Sequence, residues 1–476
     1  MAFPQTKQDW AVMPYNTVKI RDRYLATTHW GGWTSLDTDE FRKLNSLLLE
    51  PGTPLFDRLK KNRLIINKRD IDKLSDQYRK LHANFFHDAG LHIAVVTNRC
   101  NFACSYCQGR NSAGNKYMDI KVATKVLGCL FSVSNPSVRL EFQGGEPLLN
   151  WPAVEFLTKH ARKQNKMEKK NLAISLVTNL SLLDNKKRNF LINHDVEFCM
   201  SLDGPQYIHD QNRKFINGSA THKVICEHIG SLRDTYRKKK ISRKIGALPT
   251  ITRQALENPR AIIDEYLRLG FNSIHLREIS KLGQAEKNWH IIGYTPDEFN
   301  AFWKEAMDII LDKNRKGIFI KEEMSSHMLR KILKKSDPFY VDLESPCGAG
   351  RSQLAYATNG DVYTCDEARM LGCEMFKLGN VLHDPYQKLM KNGNLFYTAQ
   401  SSLLNLWDYN SAFSSWSGTC PVMNFYHQNN PIVKITESPR QKILNFKFNY
   451  LFDKIMFEPS ALRTFNRWLA NPEKIK

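Results

Sequence analysis

The chain has 476 residues, 42% of them hydrophobic and 25% charged, with a formal net charge of +21. That composition suits an ordinary soluble protein of more than one domain. No run of eighteen apolar residues offers a spanning helix, and the start has no basic segment followed by an apolar one, so the ten cysteines read as thiols or metal ligands in the cytoplasm. The positive balance favours an acidic partner such as nucleic acid or an acidic peptide, with no membrane expected. Its densest runs, 159–170 and 236–244, sit where surface helices end, and no zinc-finger spacing or RNA-binding aromatic signature accompanies them.

In chain order, residues 1–85 read as a small α+β module. "NTVKI" and "RYLATT" predict a strand pair, and "SLDTDEFRKLNSLL" predicts a helix capped by Ser35 or Asp37. "TPLFDRLKKNRLII" predicts a second helix running into a strand. From Leu91 to Ile279 six short apolar runs alternate with helical stretches: 91–97, 138–145, 172–179, 197–204, 244–252 and 273–279. Six such β-α units predict a parallel α/β sheet closed into a partial barrel, with chemistry at the C-terminal ends of the strands. Residues 286–345 read as mostly helical, and 346–435 as irregular, Gly-, Ser- and Cys-bearing loops organised by metal. "SALRTFNRWLA" closes the chain as a packed amphipathic helix with Leu462, Phe465, Trp468 and Leu469 on one side.

Just past the first barrel strand, "VTNRCNFACSYCQGR" holds three cysteines spaced C-x3-C-x2-C. A closed structural zinc site wants four ligands and a disulfide two. A four-iron cluster also takes four thiolates, so three leave one iron open to bind something. Cys100, Cys104 and Cys107, with Tyr106 before the last, resemble the cluster motif of the radical S-adenosylmethionine (SAM) enzymes. The resemblance implies a 4Fe-4S cluster whose open iron chelates SAM, and reductive cleavage of SAM to a 5′-deoxyadenosyl radical that abstracts hydrogen from substrate. It also implies a flavodoxin- or ferredoxin-type reductant. "FQGGEP", with Gly144, Gly145, Glu146 and Pro147, is similar to the family motif that holds the SAM amino group; "VTNL" and "SLDGPQYIHDQNR" match on strands three and four. By that resemblance Ser201 and Arg213 bind the SAM carboxylate or ribose, and Leu276 contacts the adenine.

"CGAGRSQLAYATNGDVYTCDEARM" and "FKLGNV" are similar to the SPASM auxiliary-cluster domain of peptide-modifying radical SAM enzymes, and the likeness is closest to the His-Xaa-Ser-system maturases, with the sulfatase-maturating enzymes also similar. The resemblance implies a peptide or protein substrate and divides the chain into a winged-helix-like leader-binding module (1–85), a radical SAM partial (β/α)6 TIM-like barrel (86–285), a helical connector (286–345), a SPASM or twitch-like domain (346–440) and a C-terminal helical segment (441–476). It makes Asp366, after Cys365, the base that takes the substrate proton, and Cys347, Cys365 and Cys420 the ligands of one inner auxiliary 4Fe-4S cluster. Aligned on "GTCPV", Asp408, Ser411 and Ser417 occupy cysteine positions of the family's outer cluster, so two clusters per chain are expected. The inner one is either open at one iron or completed by Cys373 or a non-cysteine ligand, the alternative being a degenerate site that holds no cluster. Cys129, Cys199 and Cys226 read as core or surface thiols. The alternatives are a radical SAM enzyme acting on another protein or a small metabolite, and a basic nucleic-acid-binding iron–sulfur protein.

Overall fold

A computed structural model describes residues 9–83, 87–109, 117–242 and 245–470. Two compact units emerge, one of Met1–Phe86, Ser325–Gly348 and Gln400–Lys476, the other of His87–Met324 and Ala349–Ala399. Arg243 and Lys244, the end of the second basic run, lie outside the described residues.

In the first unit, β1 (Trp10–Val12) pairs antiparallel with β5 (Ile65–Asn67), and β2 (Tyr15–Ile20), β3 (Arg23–Thr28) and β4 (Trp33–Leu36) form an antiparallel meander. Asp37, not Ser35, caps the helix Thr38–Asn45: its carboxylate accepts from the Glu40 N–H at 2.8 Å, and Glu40 accepts from the Asp37 N–H at 3.0 Å. This capping box satisfies two of the amides that a helix start leaves open. Thr53 and Pro54 start the helix Pro54–Lys61 in the same spirit, and Leu44, Phe56 and Leu59 pack against Ala26, Leu36 and Ile65. Residues 400–476 share this unit through the helices Pro439–Phe457 and Pro459–Leu469. Phe452 of the first of these meets Trp33 edge-on at 5.2 Å. On the second, Phe465 and Trp468 are buried as its apolar stripe requires.

The second unit is built on β6 (Leu91–Thr97), β7 (Ser137–Gly144), β8 (Asn171–Thr178), β9 (Val196–Ser201) and β10 (Gly246–Leu248), all parallel. Helices Ile120–Ser132, Trp151–Glu168, Asn185–Asn193 and His222–Lys238 make the crossovers. Along β7, Val138, Leu140 and Phe142 are buried while Arg139, Glu141 and Gln143 form the opposite, half-buried face. That second face is polar: Ser175 of β8 donates to Glu141 at 3.0 Å, and Arg139 pairs with Glu197 of β9 at 2.6 Å.

The sixth run is broken. β11 (Thr250–Ile251) pairs with β13 (Arg277–Glu278), and β12 (Ser273–Ile274) with β14 (Lys321–Glu322), each in parallel. Between β12 and β13 the Leu276 N–H donates to the buried Glu322 carboxylate at 3.2 Å, a side chain taking the place of a ladder acceptor. Nor is the stretch after Gly348 merely irregular. β15 (Gln353–Tyr356) adds parallel to the open edge of β6, and β16 (Asp361–Tyr363) and β17 (Lys377–Asn380) follow antiparallel, giving one eight-stranded sheet. An exposed edge next to β6 would be a template for mispairing, and this hairpin covers it. Among the described residues no helix is long and apolar enough to cross a membrane.

Candidate active site

At the C-terminal ends of these strands lies a cavity of about 200 Å³. Cys100, Cys104 and Cys107 line it together with Tyr106, Gly144, Gly145, Ser201 and Arg213. The strand ends complete the wall with Gln143, Thr178, Asn179, Thr250, Arg277 and Glu278, and Met370 closes it. Residues far apart in sequence are thus gathered around one space. Glu146, Pro147 and Leu276 are buried but form no part of that wall.

The cysteine loop is held by backbone rather than by its own regular structure. Ala103 and Ser105 N–H groups donate to the Lys214 and Asn212 carbonyls at 2.8 and 2.9 Å. On the other side Gln284 N–H donates to the Cys107 carbonyl at 2.9 Å. Phe102 and Phe215 add an edge-to-face contact at 4.9 Å.

The two glycines answer a close approach. Gly145 N–H donates to the Thr97 carbonyl at 2.9 Å and Glu146 N–H to the Arg99 carbonyl at 2.8 Å, directly before Cys100. A Cβ on Gly144 would collide with the Thr97 carbonyl, and one on Gly145 with the Arg99 carbonyl. Gly144 also has φ +149°, where other residues are strained.

Glu146 turns away from the cavity and accepts from the Leu148 N–H at 3.0 Å, the Thr178 hydroxyl at 2.7 Å and the Asn179 N–H at 2.8 Å. Burial pushes its carboxyl above the ordinary range, and those three donors only partly offset it. Its carboxylate therefore positions Asn179, whose amide donates to Asn101 at 2.9 Å within the cysteine loop.

Opposite, Asp203 organises the wall. Its Oδ2 accepts from the Tyr106 hydroxyl at 2.6 Å and stands 3.1 Å from Arg213 Nε, while Oδ1 accepts from the Thr250 N–H at 3.1 Å. The Arg213 guanidinium lies 5.1 Å over the Tyr106 ring. Behind it, His209 Nδ1 accepts from the Asp203 N–H at 3.2 Å and Nε2 meets the Thr221 hydroxyl at 3.1 Å. Thr221 in turn donates to the Arg213 carbonyl at 2.6 Å. Burial pushes His209 down to about 3, so it stays neutral and keeps this one-donor, one-acceptor role. Asp203 stands inside the "SLDGPQYIHDQNR" match, yet spacing alone does not reveal its role: an acid beside an aromatic and an arginine is common on any surface.

Asp366 opens the helix Asp366–Leu371, where Cys365 Sγ accepts from the Ala368 N–H at 3.4 Å. Its carboxylate pairs with the buried Arg369 at 2.9 Å, while Met370 from the same turn reaches the cavity. Glu367 pairs with Arg277 of the cavity wall at 3.5 Å. Cys365 and Cys373 belong to this unit, Cys347 and Cys420 to the other. There Gly418, two residues before Cys420, packs against Glu344 and Ser345, since a Cβ on it would collide with the Glu344 carbonyl.

The donor set suits an iron–sulfur cluster. Three soft sulfur donors face one space, and burial pushes the Cys100 and Cys104 thiols up to about 11 and about 12. As free thiols they are poor nucleophiles, whereas coordination to iron deprotonates them. A buried guanidinium and a glycine pair lining the same cavity suit a zwitterionic ligand with a carboxylate.

Residues 94–258 match the model of the radical SAM superfamily. The chain carries a radical SAM domain. The chain is 26% identical over 300 residues to the cysteine-type anaerobic sulfatase-maturating enzyme of Clostridium perfringens, covering 61% of this chain and 76% of the relative. It is also 28% identical over 131 residues to the radical SAM cyclopropyl synthase TigE of Paramaledivibacter caminithermalis, covering 24% of this chain and 27% of that one. In fold it is similar to native anSMEcpe with bound AdoMet and Kp18Cys peptide, with TM-score 0.66 at 19% identity over 79% of this chain and 99% of the other. Streptococcus suis SuiB bound to precursor peptide SuiA follows, with TM-score 0.53 at 11% identity over 89% and 98%. The superfamily uses a 4Fe-4S cluster and SAM, and SAM cleavage is its general reaction.

Proposed function

We propose that this protein is a radical SAM enzyme that modifies a peptide or protein substrate by hydrogen abstraction. The observation that carries it is the single cavity in which Cys100, Cys104 and Cys107 face Ser201, Arg213 and the Gly144–Gly145 turn. The relatedness to sulfatase-maturating enzymes supports a polypeptide substrate, and fold likeness to structures holding peptides agrees with it.

In this reading Cys100, Cys104 and Cys107 hold the cluster and Arg213 grips the SAM carboxylate. When bound, cluster and SAM supply one-electron cleavage of a sulfonium and a radical that takes hydrogen from the substrate. Tyr106 and Asp203 hold Arg213 in register, Gly144 and Gly145 let a ligand approach backbone, and Asn179 and Ser201 offer neutral polar contacts. Asp366, with Arg369 as its counter-charge, is the assigned proton acceptor. A flavodoxin- or ferredoxin-type protein supplies the electron. The edges of the β2–β3–β4 meander offer a place for a leader peptide to add a strand, and exposed Lys19 on β2 suits an acidic one.

The test is anaerobic: the reconstituted enzyme, SAM, a reductant and any short peptides encoded beside its gene, read by mass spectrometry. Wild type should release 5′-deoxyadenosine and change the peptide mass, and the Cys100/Cys104/Cys107→Ala variant should do neither. Undiminished SAM cleavage by that variant would sink the assignment. SAM cleavage without change in any peptide, but with turnover of a small metabolite, would replace the substrate class.

A further inference from the structure

Away from the cavity wall, His222, Cys226 and Glu265 form a second cluster of metal-ligating side chains. His222 and Cys226 stand four apart on the helix His222–Lys238 and share one face of it. Glu265 reaches them from the helix Pro259–Arg268. His222 Nε2 is the vertex, 3.0 Å from Glu265 Oε1 and 3.5 Å from Cys226 Sγ, and all three donors lie within 4.8 Å of one another. Ideal tetrahedral zinc, with Zn–N and Zn–O of about 2.0 Å and Zn–S of about 2.3 Å, sets its nitrogen and sulfur ligands about 3.5 Å apart and nitrogen and oxygen about 3.3 Å apart. The two separations from His222 Nε2 need to change by only a few tenths of an ångström, and Cys226 Sγ and the Glu265 carboxylate, within 4.8 Å of each other, would draw together around the ion.

Charge gives the second argument. A thiolate, a carboxylate and a neutral imidazole sum with a divalent ion to zero. Without an ion, Arg268 supplies the counter-charge, donating to Glu265 through Nε at 2.7 Å and Nη2 at 2.6 Å, with Nη2 4.0 Å from Cys226 Sγ. Glu265 is buried, but the Arg268 side chain is 60% exposed, so it turns to water at little cost when an ion takes its place. Both soft and borderline donors are present, which selects zinc over magnesium or calcium.

We propose that His222, Cys226 and Glu265 bind a zinc-type divalent cation, with water in the fourth position. The ion would pin the start of the helix that supports Arg213. Thr221, immediately before His222, donates to the Arg213 carbonyl, and Asp210 accepts from the Thr221 and His222 N–H groups at 2.9 and 2.8 Å.

The experiment uses the cluster-loaded enzyme, whose iron sites already engage their own thiolates. It is exposed to micromolar zinc, desalted, and assayed for metal content and zinc-edge X-ray absorption. The expected result is about one zinc per chain, with one sulfur and otherwise nitrogen and oxygen neighbours. Cys226→Ser and Glu265→Gln should lose it with iron content unchanged. Arg268→Gln, a change at a largely exposed position, should tighten zinc in competition with a chelating dye. No zinc in wild type, zinc bound by sulfur alone, or zinc affinity indifferent to Arg268→Gln and Cys226→Ser alike would overturn the site.

Discussion

Arg213 Nε stands 3.1 Å from Asp203 Oδ2, with the carboxylate wholly buried and the arginine side chain only 10% exposed. Burial by itself would push the guanidinium down; Asp203 more than offsets this and holds it above its ordinary value. Asp203 thus makes a buried positive charge tolerable at the wall where a SAM carboxylate is expected. Asp203→Asn keeps the shape and removes the charge. Breaking a buried pair from one side costs roughly 3–5 kcal/mol, so the variant should melt several degrees lower and bind SAM more weakly, with iron content retained. Calorimetry and SAM titration read both, and an unchanged melting temperature would make Asp203 a bystander.

How much of this was legible follows from how each feature is encoded. The strands at Leu91, Val138, Leu172 and Val196 announce themselves by their apolar residues, nearly continuous in β6 and alternating in β7 and β9, whose second face is polar. β15–β17 did not, because "QLAY", "DVY" and "KLGN" are too short to show a period and take their place by pairing with β6 and with one another. The cysteines and the glycine pair are local patterns, readable in a line of text. The Asp203–His209–Thr221–Arg213 chain and the cluster of His222, Cys226 and Glu265 exist only once helices are laid beside strands. The motif makes Glu146 an expected SAM contact, and the support its side chain gives to Asn179 is visible only in three dimensions.

That support is testable. Glu146 joins the end of β7 to the end of β8 through three accepted hydrogen bonds. Glu146→Gln sets an amide N–H₂ against one of those donors, at a cost of about 1–3 kcal/mol for a buried group left unmatched. SAM affinity should fall as Asn179 shifts, while the 4Fe-4S content should hold. Loss of iron in step with SAM binding would mean that the turn supports the cluster loop itself.

Asp366→Asn separates two roles. The Arg369 side chain is 4% exposed and pairs with Asp366 at 2.9 Å, so the change lowers thermal stability whatever the chemistry. If Asp366 is also the base, SAM cleavage persists in the variant and modified peptide disappears. Normal peptide modification by a less stable variant would leave Asp366 with the ion pair alone.

Asp408 predicts a pH dependence. Burial pushes its carboxyl up from 3.8 to about 7, offset in part by the Thr419 N–H. A carboxyl whose folded value lies above its unfolded one contributes stability that is fully present below the unfolded value and is lost as pH rises through the folded one. At about 1.4 kcal/mol per unit, roughly 4 kcal/mol is lost between about pH 4 and about pH 7. Asp408→Asn cannot ionise, so its melting temperature should gain on wild type as pH is raised from about 5 to about 8. Parallel curves across that range would show that Asp408 titrates normally.

Ser411 and Ser417, which the SPASM resemblance aligns with cysteine positions, lead to the last prediction. Ser417 is fully buried and accepts from the Gln441 amide at 3.1 Å, and Ser411 accepts from the Phe413 N–H at 3.2 Å. Around them the loop is held by the N-terminal strands: Asn16 donates to the Tyr409 and Ser411 carbonyls at 2.9 and 3.0 Å, and Thr27 to the Ala412 carbonyl at 2.8 Å. His29 stacks on Tyr409 at 3.8 Å, and Phe413 and Trp416 pack on Phe448 and Phe452. Hydrogen bonds and aromatic packing therefore do the organising that metal would do in a four-cysteine run, and serine is a hard, weakly acidic ligand for iron. Wild type should hold about eight irons per chain, and replacing Cys347, Cys365 and Cys420 together should remove about four of them. Placing cysteine at 408, 411 and 417 should add none, because Ser411 and Ser417 are committed to protein partners and the loop is already organised without metal. Iron and sulfide counting on the three proteins decides the matter. Twelve irons in wild type would show that the serine loop still holds a cluster, and four would show that the auxiliary cysteines hold none.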